Sequence, residues 1–268
     1  MLPGTYLIKK KDSTPLYRAS VTVRGRHISL GSFATEELAH RAYLEAGQLL
    51  SSPRAFFSLA EDYSRVHAVL PFDKWVVLLN FRDHGVYSKT PIYLQKHYFL
   101  YYYNETCHFK FDVDDLFYYS NHKIMKRGSH LFVADYGMQV NILSRYGIKN
   151  YAVCGRDYRF VNGDDTDYRY ANLEIINRYH GVFQQTRNGK KQYIARIHVN
   201  GDLIIGRYAE EAEAAVAYNR AAALLRMRGV RKNFPTNYVE SLSEEEYDRL
   251  FHTVRLSGRI QNFSLPTE

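Results

Sequence analysis

Residues 181–225 read GVFQQTRNGKKQYIARIHVNGDLIIGRYAEEAEAAVAYNRAAALL, and this stretch decides the fold. Asn188-Gly189 and Asn200-Gly201 are two-residue hairpin signals, because Asn and Gly tolerate the positive φ such turns require. Between them Tyr193, Ala195, Ile197 and Val199 alternate with Ile194, Arg196 and His198, the period of a half-buried strand. Beyond Tyr208 the period changes. Ala214, Ala217, Tyr218, Ala221, Leu224 and Leu225 form one stripe of a helix, and its small residues let that helix lie close against a sheet. Three strands and a helix are predicted, with Arg, His, Gln and Ser on the sheet face that the helix leaves uncovered.

Residues 4–50, GTYLIKKKDSTPLYRASVTVRGRHISLGSFATEELAHRAYLEAGQLL, repeat this pattern. Gly4 falls on Gly181, Tyr17 on Tyr193, Leu30-Gly31 on Ile205-Gly206 and Ala42-Tyr43 on Ala217-Tyr218. Two short turn-length changes account for the drift between the copies, so one module is used twice. In the first copy Tyr17, Ala19, Val21 and Val23 face one way, and Arg18, Ser20, Thr22 and Arg24 the other. Thr35 is placed to cap a helix with the stripe Leu38, Ala39, Ala42, Tyr43, Ala46 and Leu50.

Charge follows the repeat. The chain has 268 residues and a formal charge of +8, with 46% hydrophobic and 24% charged residues, an ordinary globular composition. Residues 1–58 hold eight Lys/Arg against four Asp/Glu, and residues 178–235 hold eleven against four. Residues 59–177 balance at fourteen each, and 236–268 hold three against six. Two basic blocks therefore flank a neutral centre, the footprint of a polyanion binder or of a solubilising surface. No apolar run reaches the roughly 18 residues of a membrane span, so no membrane partner is expected. The opening MLPGTYLIKKK has no apolar stretch with a cleavage site, and two cysteines make no disulfide framework or four-cysteine zinc site. A reducing, cytoplasmic setting is expected.

The second module, GVFQQ…KKQYIARIHVNG…IIGRY…EEAEAAVAYNRAAALLRMRGV…NFP, resembles the Apetala-two/ethylene-response-factor DNA-binding domain, and residues 4–50 are a weaker copy. The resemblance implies that each sheet enters a major groove and reads bases through outward side chains. The positions it assigns are Phe183, Gln185 and Arg187, then Arg196 and His198, then Asp202 and Ile204. In the first copy they are Tyr6, Ile8 and Lys10, then Arg18, Ser20 and Thr22, then His27 and Ser29. Arg187, Arg196 and Arg18 suit guanine, and Gln185 suits adenine. Asp202 is unfavourable near phosphate unless it accepts from cytosine N4. The alternative is that all of these are solvent-facing strand residues.

The centre reads as short strands: WVVLLNF, PIYLQKHYFLYYY, HFKFDV and SHLFVADYGMQV. Tyr101-Tyr102-Tyr103 is expected to pack in a sheet, with base stacking as the other reading. Asp112, Asp114 and Asp115 form either a divalent-ion site or a strand-to-helix cap. His84, His97, His108, His122 and His130 lack metal-ligand spacing.

Residues 160–176, FVNGDDTDYRYANLEII, predict a turn at Asn162-Gly163-Asp164 and a short helix. They resemble the core of HNH homing endonucleases, a family in which an Apetala-two domain often follows the nuclease. The family's metal-binding Asp and base His fall on Arg159 and Phe160 here, while its Asn-Leu is kept as Asn172-Leu173. An arginine repels a divalent ion and a phenylalanine accepts no proton, so no cleavage, no metal and no cofactor are expected. The competing reading keeps an active metal-dependent nicking endonuclease in which Asp157, Asp164 or His180 substitutes. A third takes the Tyr-rich centre as a protein-interaction surface. After Asn233-Phe234-Pro235, Ser243–Glu246 predicts a capping box, with Tyr247, Leu250, Phe251 and Val254 on one stripe for packing.

The expectation is an α+β chain in which two modules of three antiparallel strands plus a helix flank a β-rich, degenerate HNH-like centre. The domains are 1–58, 59–177, 178–235 and a tail at 236–268. The expected function is sequence-specific binding of double-stranded DNA for transcriptional regulation.

Overall fold

Small antiparallel sheets and short helices build an α+β fold, as the sequence predicts. The computed structural model describes residues 1–9, 14–53, 60–65 and 68–265. They form two units, Met1–Ile142 with Asp164–Asn172, and Leu143–Gly163 with Leu173–Glu268. The division thus runs inside the expected 59–177 domain and not at its ends.

In the first unit β1 (Thr5–Lys9), β2 (Pro15–Val23) and β3 (Arg26–Phe33) form an antiparallel sheet in that order. α1 (Glu36–Ser51) lies on its inner face, and the Thr35 hydroxyl accepts the Leu38 amide at 3.3 Å to start it. Ala39, Ala42, Ala46 and Leu49 are buried with Ala19, Ile28 and Leu30. The stripe therefore ends on Leu49; Leu50 is half-buried. α2 (Ala60–Arg65) precedes α3 (Phe72–His84), which brings Trp75, Leu78 and Leu79 into the same core.

α3 corrects the reading of WVVLLNF as a strand. Residues 75–81 are all buried, so no polar face marks a helical period in the sequence. The helix signals lie at its ends, with Asp73 in the first turn and Gly85 closing the last at φ 70°.

The other aromatic runs are strands as expected. β4 (Ile92–Leu94), β5 (Tyr98–Asn104) and β6 (Cys107–Asp112) form one sheet. The Tyr101 hydroxyl accepts the Ile124 amide at 2.9 Å, and burial pushes its pKa up to about 12. Tyr101 and Tyr102 are thus packing residues. Asp112, Asp114 and Asp115 stand at the junction into a single 3₁₀ turn and α4 (Leu116–Tyr119), where the Asp112 carboxylate accepts the Tyr170 amide at 2.7 Å. β7 (Ile124–Arg127), β8 (His130–Asp135) and β9 (Met138–Asn141) complete the unit's sheets.

In the second unit β10 (Tyr158–Phe160) pairs with β11 (Leu173–Ile175). β12 (Val182–Arg187), β13 (Lys190–His198) and β14 (Asp202–Tyr208) form the second module's sheet, with α5 (Glu211–Met227) on its inner face. Asn188 and Gly189 make the expected two-residue turn, at φ 51° and 73°. The second connection is longer than expected: Val199, Asn200 and Gly201 all lie outside the strands, and the Val199 amide bonds the Gly201 carbonyl at 3.1 Å.

The tail packs on this core. α6 (Glu244–Thr253) opens with the predicted Ser243–Glu246 capping box and lays Tyr247, Leu250 and Phe251 against it. α7 (Gly258–Gln261) buries Ile260. The Tyr208 hydroxyl and Arg220 Nη1 donate to the carbonyls of Arg255 and Val254, each at 2.6 Å.

One device recurs in both modules. The sheet registers shift after Ala19 and after Ala195, leaving Leu30 and Ile205 as the extra, buried residues of β3 and β14. The next amides along the strand, on Ser20 and Arg196, donate to the carbonyls of Gly4 at 3.0 Å and Gly181 at 2.7 Å. Each glycine has positive φ and lies under a tyrosine of its helix: a Cβ would come within 2.1 Å of Tyr43 at Gly4 and 2.3 Å of Tyr218 at Gly181.

Gly181→Ala is expected to destabilise the second unit by about 2–4 kcal/mol, combining a left-handed backbone with overpacking. Gly189→Ala, at φ +73° but facing open space, should lose only about 1–2 kcal/mol. Urea unfolding measures both, and equal losses would remove the Tyr218 contact from the account.

Candidate functional site

Paired residues of antiparallel strands share a face, so the register of β12–β14 defines the outer surface of the second module. Phe183, Gln185 and Arg187 lie opposite Ile194, Gln192 and Lys190; Arg196 and His198 lie opposite Ile204 and Asp202. The structure therefore brings together all the positions that the sequence assigned in this copy. Gln185, Arg187, Lys190, His198, Asp202 and Ile204 are exposed. His198 Nδ1 lies 2.8 Å from Asp202 Oδ1, which gives the one carboxylate of the face a local partner.

Arg207 joins them, exposed and opposite Ile194. Sequence reasoning missed it because strict alternation from Asp202 and Ile204 points to Gly206. The bulge spends one extra residue, Ile205, and turns Arg207 outward. The apolar pair Ile204-Ile205 before Gly206 was the only sequence signal.

Phe183 and Arg196 sit differently: both are half-buried. Lys149 and Arg156, from the strand-poor segment ahead of β10, bring their cationic heads to 5.9 and 5.6 Å from the Phe183 ring centroid, and Arg196 to 5.1 Å. Asp157 is fully buried beside them. Its Oδ2 accepts from Arg156 at 2.8 Å and from the Val153 amide at 2.9 Å, and Lys149 Nζ lies 3.0 Å from Oδ1. Burial raises the Asp157 pKa, but the hydrogen bonds from Arg156, Val153 and Lys149 hold it below the ordinary value. Burial pushes Lys149 down against the pull of Asp157. Asn177 fixes the segment: its Nδ2 donates to the Arg156 carbonyl at 2.6 Å and its Oδ1 accepts the Gln184 amide at 2.7 Å.

The first module repeats the face with fewer charges. Tyr6 lies opposite Arg18, and Ser20 and Thr22 opposite Ser29 and His27, with Ile8 on the same side. Thr22 Oγ1 lies 3.4 Å from His27 Nδ1. Lys10 lies outside the described residues. Arg24, expected on this face, instead occupies the β2–β3 turn at φ 48° and rests 5.7 Å from the Phe81 ring. Ser32 takes the place that Arg207 holds in the second copy.

Residues 160–176 form the expected turn but not the expected helix. Gly163 turns at φ 78°, but the expected helix is a single 3₁₀ turn, Tyr170–Asn172, before β11. On β10, Arg159 forms a 2.6 Å ion pair with Glu174, and Phe160 meets the Tyr158 ring edge-on. In the first unit Asn172 Nδ2 donates to the Asp167 carbonyl at 2.8 Å. Asp164 accepts from Thr166 and Lys110, which lowers its pKa to about 2. In the second unit the backbone of His180 is held by Asn237, and burial, then Lys149, lowers its pKa. Among the described residues no group of three His, Cys, Asp or Glu side chains is placed to hold a metal ion.

Comparison with known proteins finds no match among protein-family models, curated proteins or solved structures.

Asp157→Asn leaves Lys149 buried without its countercharge and is expected to lose about 3–5 kcal/mol. Because the folded Asp157 pKa is lowered, its contribution is complete above the unfolded value of about 3.9 and disappears as pH falls through the folded one. Urea midpoints measured across the acid range should therefore fall less steeply in the variant than in the parent.

Proposed function

We propose that this chain binds double-stranded DNA sequence-specifically through the outer faces of its two sheet-and-helix modules and serves in transcriptional regulation. The observation that carries this reading is the β12–β14 face. Arg187, Lys190, Arg196 and Arg207 share it, and among the described residues none of the four forms an ion pair. Its carboxylate, Asp202, is engaged by His198. Unpaired cations gathered on one twisted face attract a polyphosphate and release its condensed counterions. Arg187 and Arg207 are open enough to pair with guanine, and Gln185 with adenine.

The first module supplies a weaker contact through Arg18, Tyr6, Ser20, Thr22 and His27, and carriage on one chain raises its effective concentration. The HNH-like centre is a scaffold that no longer cleaves. In support, Arg159 is committed to Glu174, Phe160 has no proton acceptor, and Asp157 is ion-paired with Lys149 and Arg156 and accepts the Val153 amide. Among the described residues no helix is long and apolar enough to cross a membrane. The reading places the protein in the cytoplasm on DNA, or in the nucleus of a eukaryote.

Selection of bound sequences from random duplex DNA should return a defined motif. Affinity for it should fall by orders of magnitude between about 50 and 200 mM salt, and salt-independent or absent binding would overturn the proposal. Arg187→Ala and Arg207→Ala should each cost about 1–3 kcal/mol and relax one position of the motif. Supercoiled plasmid should stay intact with Mg²⁺ or Mn²⁺; metal-dependent nicking would show that the scaffold still cleaves.

A further inference from the structure

Three cations share the Phe183 ring, and the carboxylate buried with them is ion-paired with two of the three. Lys149, Arg156 and Arg196 all stand within 6 Å of its centroid. Asp157 is ion-paired with Lys149 and Arg156. Glu211 adds a weaker attraction on Lys149 and is itself engaged by the Arg178 amide. Arg196 is left over: among the described residues its guanidinium has no ion pair, and its Nε is buried without a hydrogen-bond partner. A half-buried cation without a counter-ion, beside two more of its own sign, is unfavourable in the free protein. It becomes favourable when an anion arrives.

We propose that Arg196 and Arg156 form, over Phe183, a site for a phosphate group, so that in the DNA-bound protein Arg196 holds the backbone and does not read a base. The proposal deepens the DNA-binding reading and rests on it for the identity of the phosphate. The chemistry fits. Arg196 rests over the Phe183 ring at 5.1 Å, while Arg156, exposed and held by Asp157 through Nε and Nη2, keeps Nη1 for a ligand. Bidentate capture of guanine needs two free N–H groups in one plane at the floor of a groove. A guanidinium sunk beside a second arginine and a buried lysine is better suited to an oxygen-rich anion at the groove's edge.

The test uses the full chain. Arg196→Gln should weaken binding about tenfold for every duplex alike and lower the slope of log affinity against log salt by about one. Arg196→Lys should keep most of the affinity, because a point charge holds phosphate but does not replace a bidentate guanine contact. The urea midpoint of Arg196→Gln should equal or exceed the parent's, since an unmatched charge has gone; a large fall would make Arg196 a structural pin and overturn the site. The Arg196 Nε–H signal in ¹H–¹⁵N spectra should shift saturably with duplex and with inorganic phosphate, and more weakly with both in Arg156→Gln. Losses confined to one base pair, equal in the Gln and Lys variants, would overturn the phosphate site and leave DNA binding standing. A saturable phosphate shift without any duplex binding would uphold the site as one for free phosphate and remove the DNA reading. No shift with either ligand would overturn the site.

Discussion

Each module depends on a glycine carbonyl pressed beneath a helix tyrosine. Gly4 under Tyr43 and Gly181 under Tyr218 let the strand-leading chain pass where no Cβ fits, and their carbonyls receive the amides of Ser20 and Arg196. Those amides sit where the register shifts, so the contact and the bulge form one unit. The bulge adds a buried residue to the third strand, Leu30 or Ile205, and reverses the facing of the residues beyond it. Arg207 points outward for that reason, as does Ser32. Helix placement and the composition of the exposed face thus arise from one local constraint, met twice at matching positions.

That constraint explains which parts of the structure were legible in the sequence. The repeat, the strand alternation, the Asn188-Gly189 turn and the capping box at Ser243 each carry their own local signal, and each took its expected form. α3 did not, because a helix buried around its whole circumference shows no period, and WVVLLNF satisfies a strand template equally well. Arg207 was hidden by a one-residue register change that alternation cannot represent. The covering of Phe183 was hidden for another reason. It arises from residues 149–157, whose pairing depends on Asn177 and on a buried ion pair formed only when the chain folds.

The two outer faces share geometry and differ in electrostatics. The second gathers four cations with one His-engaged carboxylate; the first presents Arg18 among hydroxyl, imidazole and aromatic groups. The second face therefore carries the stronger positive field. Sequence repetition alone does not show this difference, because aligned positions such as Arg207 and Ser32 share a place on the sheet and not a charge.

The cations around Phe183 connect stability to binding within the second unit. A core arranged for stability alone would place an apolar residue or a second carboxylate near Arg196, since one buried acid does not balance three bases. Asp157 is held charged by Arg156, Val153 and Lys149, and among the described residues its ion pairs run to Lys149 and Arg156 and not to Arg196. Asn177, bonded to both the Arg156 carbonyl and the Gln184 amide, keeps the segment against β12, so the crowding is not relieved by simple displacement of the loop. The imbalance therefore persists in the folded chain until an outside anion compensates it. At the proposed site an anion would relieve that imbalance, so binding and stability of the second unit would rise together.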